Sequence, residues 1–223
     1  MKRKGTIISE DKRQLILIGG GGHCKSVIEA AESSGYEIKG ILDVSKEVGK
    51  DVLSGHKVIG TDDDIPQYTD ICDFVITIGF IKNPSLRINL YNKVKEAGGK
   101  LATIVASTAY VSKYAELGEG TVVMHQAFVN AGAKVGDNCI INTFVNIEHD
   151  AEVGNQCHIS TGTMINGECK IGDNCFIGSQ SVCVNCINIG SDIIVGAGSC
   201  VRKSIQIKGV YAGNPAILKI KAK

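Results

Sequence analysis

The sequence predicts two units of different class: an α/β, Rossmann-like N-terminal domain opening on a βαβ unit, then a parallel β-helix of hexapeptide repeats. Three observations carry this reading. The first apolar run, Leu15 to Ile18, ends in four consecutive glycines, and the second, Ile38 to Leu42, ends at Asp43. From Val105 to Ile207 every sixth residue is Val, Ile or Leu, Cys183 excepted. The expected division of the 223-residue chain is therefore 1–104 and 105–223.

In the first unit, Leu15 to Ile18 is a short strand, Gly19 to Gly22 with His23 a loop, and about Lys25 to Glu32 a helix. Glycines let a backbone approach a phosphate at a helix N-terminus, and an acid ending the second strand is placed for a ribose. Gly20, Gly21, Gly22, His23 and Asp43 are thus candidate nucleotide contacts. The third glycine of a dinucleotide fingerprint is missing, since Cys24 occupies its place, and about a hundred residues is small for such a fold. Phe74 to Ile78 reads as another strand, ending at Gly79. Arg87 beyond it is either a solvated helix charge or a phosphate contact. Thr61 to Asp64 reads as a capped surface helix start.

In the second unit a six-residue period fits neither a lone helix nor a hairpin meander. It fits short parallel strands wound as a triangular prism, three hexads to a coil, with the branched residue pointing inward. A second, tight interior position holds small residues such as Ala127, Ala133, Ala151 and Thr163. Gly136, Asn142, Gly154, Gly172, Gly178, Gly190 and Gly196 are expected to make the corners. Cys139, Cys157, Cys169 and Cys175 fall on the small interior position and Cys183 on the branched one, so the thiols read as buried structural groups. Cys183 and Cys186 form a C-x-x-C pair, but without a second pair this is not read as a zinc or redox site.

Composition narrows the function. Lys plus Arg number 24 against 23 for Asp plus Glu, a net charge of +1 that gives no electrostatic reason to expect nucleic acid or an anionic membrane. With 43% hydrophobic and 21% charged residues the chain reads as globular. No span of signal-peptide or membrane length is present, and nine cysteines suggest reduced thiols, so a cytoplasmic location is expected.

One stretch breaks the monotony of the hexads: Glu148, His149 and Asp150 follow Ile147. His149 and Asp150 occupy outward places, and a neutral imidazole beside a carboxylate is a general base of fixed tautomer and orientation. His158 follows half a coil later, separated only by neighbouring coils. His125 lies four hexads before His149, on a different face, and reads as structural.

The order Gly19 to His23, Ile41-Leu42-Asp43, Ile78-Gly79 with Arg87, then Asn142 to Asp150 and Cys157 to Ser160 resembles the sugar acyltransferases of the sialic acid O-acetyltransferase NeuD family. That family includes UDP-4-amino-sugar N-acetyltransferases of the bacillosamine pathway and a perosamine relative. The resemblance implies a left-handed β-helix, acetyl-CoA as co-substrate, no metal, and a homotrimer. It makes His149 the base, Asp150 its polarising partner, and Asn142 and Glu148 neighbouring polar groups. His158, Gly178, Gly196, Ala197, Gly213 and Pro215 become acetyl-CoA contacts. Gly20, Gly21, Gly22, His23, Asp43, Gly79 and Arg87 become nucleotide-sugar contacts. The 79–87 loop is longer and less polar than the family's usual form, and its glycine loop is all glycine.

The implied activity is N-acetylation of the 4-amine of a UDP-linked sugar. Alternatives are O-acetylation of a sugar or sialic acid, a zinc hydratase of the γ-carbonic-anhydrase type, and a non-catalytic nucleotide-sugar binder. The hydratase needs three histidines around a metal, two of them usually five residues apart, whereas His149 and His158 are nine apart.

Overall fold

The computed structural model describes residues 14–221. The first 13 and last two residues, at the outer ends of the two expected domains, lie outside the described residues. The chain opens as β1 (Gln14–Ile18), α1 (Gly22–Ser33) and β2 (Ile38–Leu42). A hairpin follows, β3 (Asp51–Leu53) and β4 (His56–Gly60), then β5 (Cys72–Ile76) and α2 (Ser85–Glu96). The sheet order is β3-β4-β2-β1-β5, parallel except for β3. β1 lies between β2 and β5 and is buried on both faces, hence its unbroken apolar run.

Two expected elements moved. The strand expected over Phe74 to Ile78 stops at Ile76, because the Thr77 hydroxyl turns to the carbonyls of Ile18 and Gly19. The expected helix start at Thr61 is a capped 3₁₀ turn, Asp62–Gln67, in which Asp64 Oδ2 accepts the Thr61 N–H at 2.7 Å.

From Ile104 the chain winds into a three-sided, left-handed β-helix, and strands eighteen residues apart pair in parallel on each side. The first side, the domain face, carries Ile104–Val105, Val122–Val123, Ile140–Ile141, His158–Ile159, Phe176–Ile177 and Ile193–Val195. It is extended by Gly209–Ala212 and the antiparallel Ile217–Lys221. The second, the apolar face, carries Tyr110, Phe128, Asn146, Met164, Val182 and Cys200 outward. The third, the charged face, carries Glu116, Lys134, Glu152, Lys170 and Asn188, with Lys134–Glu116 and Lys170–Glu152 ion pairs.

The interior is the expected stack of Val and Ile with small residues between, each fully buried branched side chain contributing about 1.5–3 kcal/mol. The five interior cysteines are buried, and their thiols also donate: Cys139, Cys157 and Cys175 Sγ lie 3.0–3.1 Å from the carbonyls of Gly154, Gly172 and Gly190. Thr121 Oγ1 fills the same place one coil earlier, against the Gly136 carbonyl. A small weak donor thus satisfies a buried carbonyl at each turn.

The corners correct the sequence expectation. The left-handed backbone falls two residues beyond the expected corners, on Asn138, Phe144, Gln156 and Asn174, and at the equivalent places Gln126 and Asp150, at φ of 50–60°. Gly136, Gly154 and Gly172 serve a different need: a Cβ on each would lie 2.6–2.9 Å from the backbone of the next coil. Corners stack on corners with no room for a side chain.

α1 packs on the start of the domain face through Cys24, Val27 and Ile28 against Ile104 and Val122. Tyr91 and Lys95 of α2 reach Glu119 on the corner between charged and domain faces. Among the described residues no helix is long and apolar enough to cross a membrane.

Candidate active site

His149 stands on the corner joining the apolar and charged faces, exposed, its Nδ1 3.0 Å from Asp150 Oδ2. The left-handed φ of Asp150, a residue type that tolerates it, folds the carboxylate back to the preceding ring. That hydrogen bond, with the charges of Asp150, Glu148 and Glu168, raises the imidazole pKa above its ordinary 6.5. Glu148 accepts from Asn146 Nδ2 at 2.9 Å and from Asn130 Nδ2 at 2.8 Å, and these bonds hold its carboxyl below the usual range. Two acids therefore flank the ring: one bonded to it, one pinned by amides.

Two residues that the sequence reading missed shape this corner. Gly167 lies one coil on from His149, and a Cβ there would come within 2.8 Å of His149 Cε1 and Nε2. Gly132 lies one coil before Asp150, and a Cβ there would collide with Asp150 Oδ1. The signal was present as glycines eighteen residues from each, one coil away.

His158 sits elsewhere. It is on the domain face, opposite the His149 corner, and is buried rather than open to a groove. Its Nδ1 donates to the Phe80 carbonyl at 2.7 Å, so Nε2 is left as an acceptor, 3.4 Å from Asn142 Nδ2. Phe80, Phe176 and His23 surround the ring at centroid distances of 5.8, 5.2 and 6.5 Å. Burial first, then the Arg87 charge, pushes His158 down to about 4, against the hydrogen bond to Phe80. His23, lowered to about 3 by burial and by Arg87 and His158, has a buried Nε2 with no hydrogen-bond partner. Both rings are neutral near pH 7.

Asn142 heads a column along the corner between domain and apolar faces, followed at eighteen-residue intervals by Ser160, Gly178 and Gly196, with Ala197 beside the last. The column ends near Gly213, whose N–H donates to Ser199 Oγ. A cavity of about 510 Å³ lies there, lined by Arg202, Lys203, Pro215, Ala216 and Ile217. Of the residues expected to meet acetyl-CoA, Gly178, Gly196 and Ala197 thus follow one edge with Gly213 and Pro215 near its end, while His158 is buried beside it and His149 lies on another edge. His125, on the first edge, bonds Thr108 through Nδ1 at 2.8 Å.

In the first domain Gly21 and Gly22 are open, and α1 begins without a side-chain cap, leaving its first N–H groups directed outward. A Cβ on Gly79 would lie 3.9 Å from His23 Cβ, so the position is near that ring without requiring glycine. Asp43 Oδ2 accepts the Gly20 N–H and Oδ1 the Val44 N–H, both at 2.7 Å, so this acid orders the glycine loop. Beside it is a cavity of about 130 Å³ walled by Ile18, Leu42, Val44, Ile78, Leu86 and Leu90, with Asp43 and Asp62 at its margin.

Arg87 fits neither expectation. It is 1% exposed, its Nη1 spent on the carbonyls of Ile76 and Ile78 and its Nη2 on Asn138 O and Oδ1, and its Nε, though without a hydrogen-bond partner, is buried, so no donor is open to a phosphate at the surface. Within one chain the three-histidine centre of a zinc hydratase is not assembled: among the described residues no group of three or more His, Cys, Asp or Glu is placed to hold a metal ion.

Residues 14–94 match the PglD N-terminal domain family. Residues 150–185 match the bacterial transferase hexapeptide family (six repeats), and 169–203 the hexapeptide repeat of succinyl-transferase. A mutant of perosamine N-acetyltransferase from Caulobacter crescentus, solved with CoA and GDP-perosamine, is 31% identical, with a TM-score of 0.86 over 92% of this chain and 96% of that one. The acetyltransferase domain of PglB from Neisseria gonorrhoeae FA1090 is 30% identical, with a TM-score of 0.85 over 93% and 100%. The same domain has been solved with acetyl coenzyme A. WeeI from Acinetobacter baumannii AYE, at 22% identity and a TM-score of 0.82, shares the fold. A search by sequence among curated proteins finds no match.

Proposed function

The chain belongs to the sugar acetyltransferases that join a PglD N-terminal domain to hexapeptide repeats, and from that premise we propose that it moves the acetyl group of acetyl-CoA to the 4-amine of a UDP-linked amino-sugar. The observation that carries the reading is the His149–Asp150 pair on an exposed corner. The neutral amine attacks the thioester carbonyl, an N–C bond forms, and the C–S bond breaks. His149 takes the amine proton and returns one to the departing CoA thiolate. The Gly167 N–H, one coil on from His149 and without a backbone acceptor among the described residues, would be a donor to the oxyanion.

The reading requires more than one chain, because His149 and the Asn142 column stand on different edges of the apolar face. A three-fold arrangement of that face sets one edge of each chain against the other edge of its neighbour. His149 of one protomer would then face Asn142, His158 and His23 of the next. The apolar face favours such burial: Tyr110 and Phe128 stack at 4.9 Å while 55% and 38% exposed, with Phe144 and Met164 exposed nearby. A homotrimer with three composite sites is the proposed unit.

Acetyl-CoA would lie along the Asn142–Gly196 edge, with Arg202 and Lys203 near its phosphates. The diphosphate would meet the open N–H groups at Gly21 and Gly22, near His23. The base would enter the 130 Å³ cavity. At its margin Asp43 accepts the Gly20 and Val44 N–H groups and Asp62 Oδ2 the Lys93 Nζ at 2.8 Å.

Thiol release from acetyl-CoA, measured with UDP-, dTDP- and GDP-linked 4-amino-sugars and free sialic acid, tests the reading. Turnover on the UDP-amino-sugar is expected. Release with sialic acid alone would move the activity to O-acetylation, and preference for a GDP-sugar would overturn the base assignment.

A further inference from the structure

Arg87 is buried without a carboxylate partner, an arrangement that carries a desolvation cost and calls for a reason. It roots in the first turn of α2 and passes beneath the 77–84 loop. There it takes two carbonyls, Ile76 and Ile78, with Nη1 and Asn138 of the β-helix with Nη2, leaving Nε buried without a partner. Asn138, itself buried at a left-handed corner, passes its amide to Gln156 Oε1 at 2.6 Å. The next alternate carbonyl along the loop, Phe80 O, accepts from His158 Nδ1. The guanidinium thus fixes the loop and the β-helix to each other where the loop supplies the carbonyl that decides which His158 nitrogen carries the proton.

We propose that Arg87 is a positioning residue: by tying the Ile76–Ile78 carbonyls to Asn138, it holds the Phe80 carbonyl on His158 Nδ1 and keeps His158 Nε2 a bare acceptor facing Asn142. The proposal rests on the reading of His158 as a group beside acetyl-CoA only for its kinetic consequence. The tautomer itself is independent of that reading. Two further observations agree with it. The Phe80 ring packs edge-on against both His158 and Phe176, so displacement of the loop would disturb the enclosure as well as the hydrogen bond. Thr77 pins the other end of the loop to Ile18 and Gly19, which leaves the Ile78–Phe80 stretch as the part that Arg87 must hold.

The test is the ¹⁵N spectrum of His158 in the intact protein, assigned by its loss in His158→Gln, and recorded for wild type, Arg87→Lys and Asn138→Gly. Asn138→Gly keeps the left-handed corner and Arg87 but removes an anchor, so it remains informative if Arg87→Lys fails to fold. Wild type is expected to show Nδ1 protonated and Nε2 bare, and the folded variants a mixture of tautomers. KM for acetyl-CoA is expected to rise about tenfold or more with little change for the amino-sugar, as when positioning of one substrate is lost. In a His158→Gln background Arg87→Lys should add nothing further to that KM. An unchanged tautomer in the folded variants, with only a lower Tm, would overturn the proposal. A changed tautomer with an unchanged acetyl-CoA KM would instead uphold the positioning and reject His158 as an acetyl-CoA contact.

Discussion

His149→Ala is expected to lower kcat by about 10²–10⁴-fold, the range typical of a lost general base, with KM for either substrate little changed. The ring is exposed and its removal opens no cavity in the core, so Tm should stay close to wild type. The pH dependence gives a sharper signature. Only the neutral imidazole accepts the amine proton, and the bond to Asp150 raises its pKa above 6.5. kcat/KM, which reports the free enzyme, should therefore fall as pH drops through a limb lying above 6.5. In Asp150→Asn the limb should move toward lower pH while the plateau rate falls, because the ring has lost its charge partner and its orientation. Steady-state rates from pH 5.5 to 9 on the three proteins check this. An acidic limb that stays in place in Asp150→Asn would exclude the pair as the titrating unit.

Gly167→Ala should cost about 10²-fold in kcat, a loss expected when a reacting group is displaced by about an ångström. The added Cβ would lie 2.8 Å from two atoms of the His149 ring, closer than real contacts allow. The ring is the free end of a side chain, so it yields before the backbone does and leaves Asp150. Gly167 has no left-handed φ, so alanine is tolerated by the backbone and stability should change by less than about 1 kcal/mol. Thermal melting beside kinetics separates the two effects. A wild-type rate in a folded Gly167→Ala would show that the ring works in another rotamer.

The β-helix was legible in the repeat. A branched residue every six positions has one economical packing, and the thiols fell where the small interior sites are. The corners were misread because glycine was taken as a sign of left-handed backbone. In this coil Asp150, Asn138 and Phe144 carry the positive φ, and Gly136 and Gly154 are glycine because the next coil leaves no space. Steric need between coils is a property of stacking, which a single hexad does not display.

The candidate site was legible by residue and less so by place. His149 with Asp150 could be read from adjacency, whereas His158 could not: nine residues is half a coil, which puts it on the far side of the prism and beneath the first domain. Gly167 became visible only once eighteen-residue neighbours were known to touch. Arg87 was misjudged for a different reason. A charge on a helix of mixed composition reads as surface, and its burial depends on carbonyls of β5 and a corner of the β-helix, 51 residues away in sequence at Asn138.

In the proposed trimer each site is built by two chains, the His149 corner of one against the His158 edge of the next. Co-expression of His149→Ala and His158→Ala chains, each carrying its own tag, tests it most directly through thiol release from acetyl-CoA by the doubly purified mixed assembly. Each variant alone is expected to be impaired. In a trimer that carries both tags, two chains of one kind meet one of the other, so one composite site in three, about a third, receives both intact halves and the mixture should regain a substantial fraction of wild-type turnover. Activity no greater than the sum of the two impaired parents would contradict a site shared between chains.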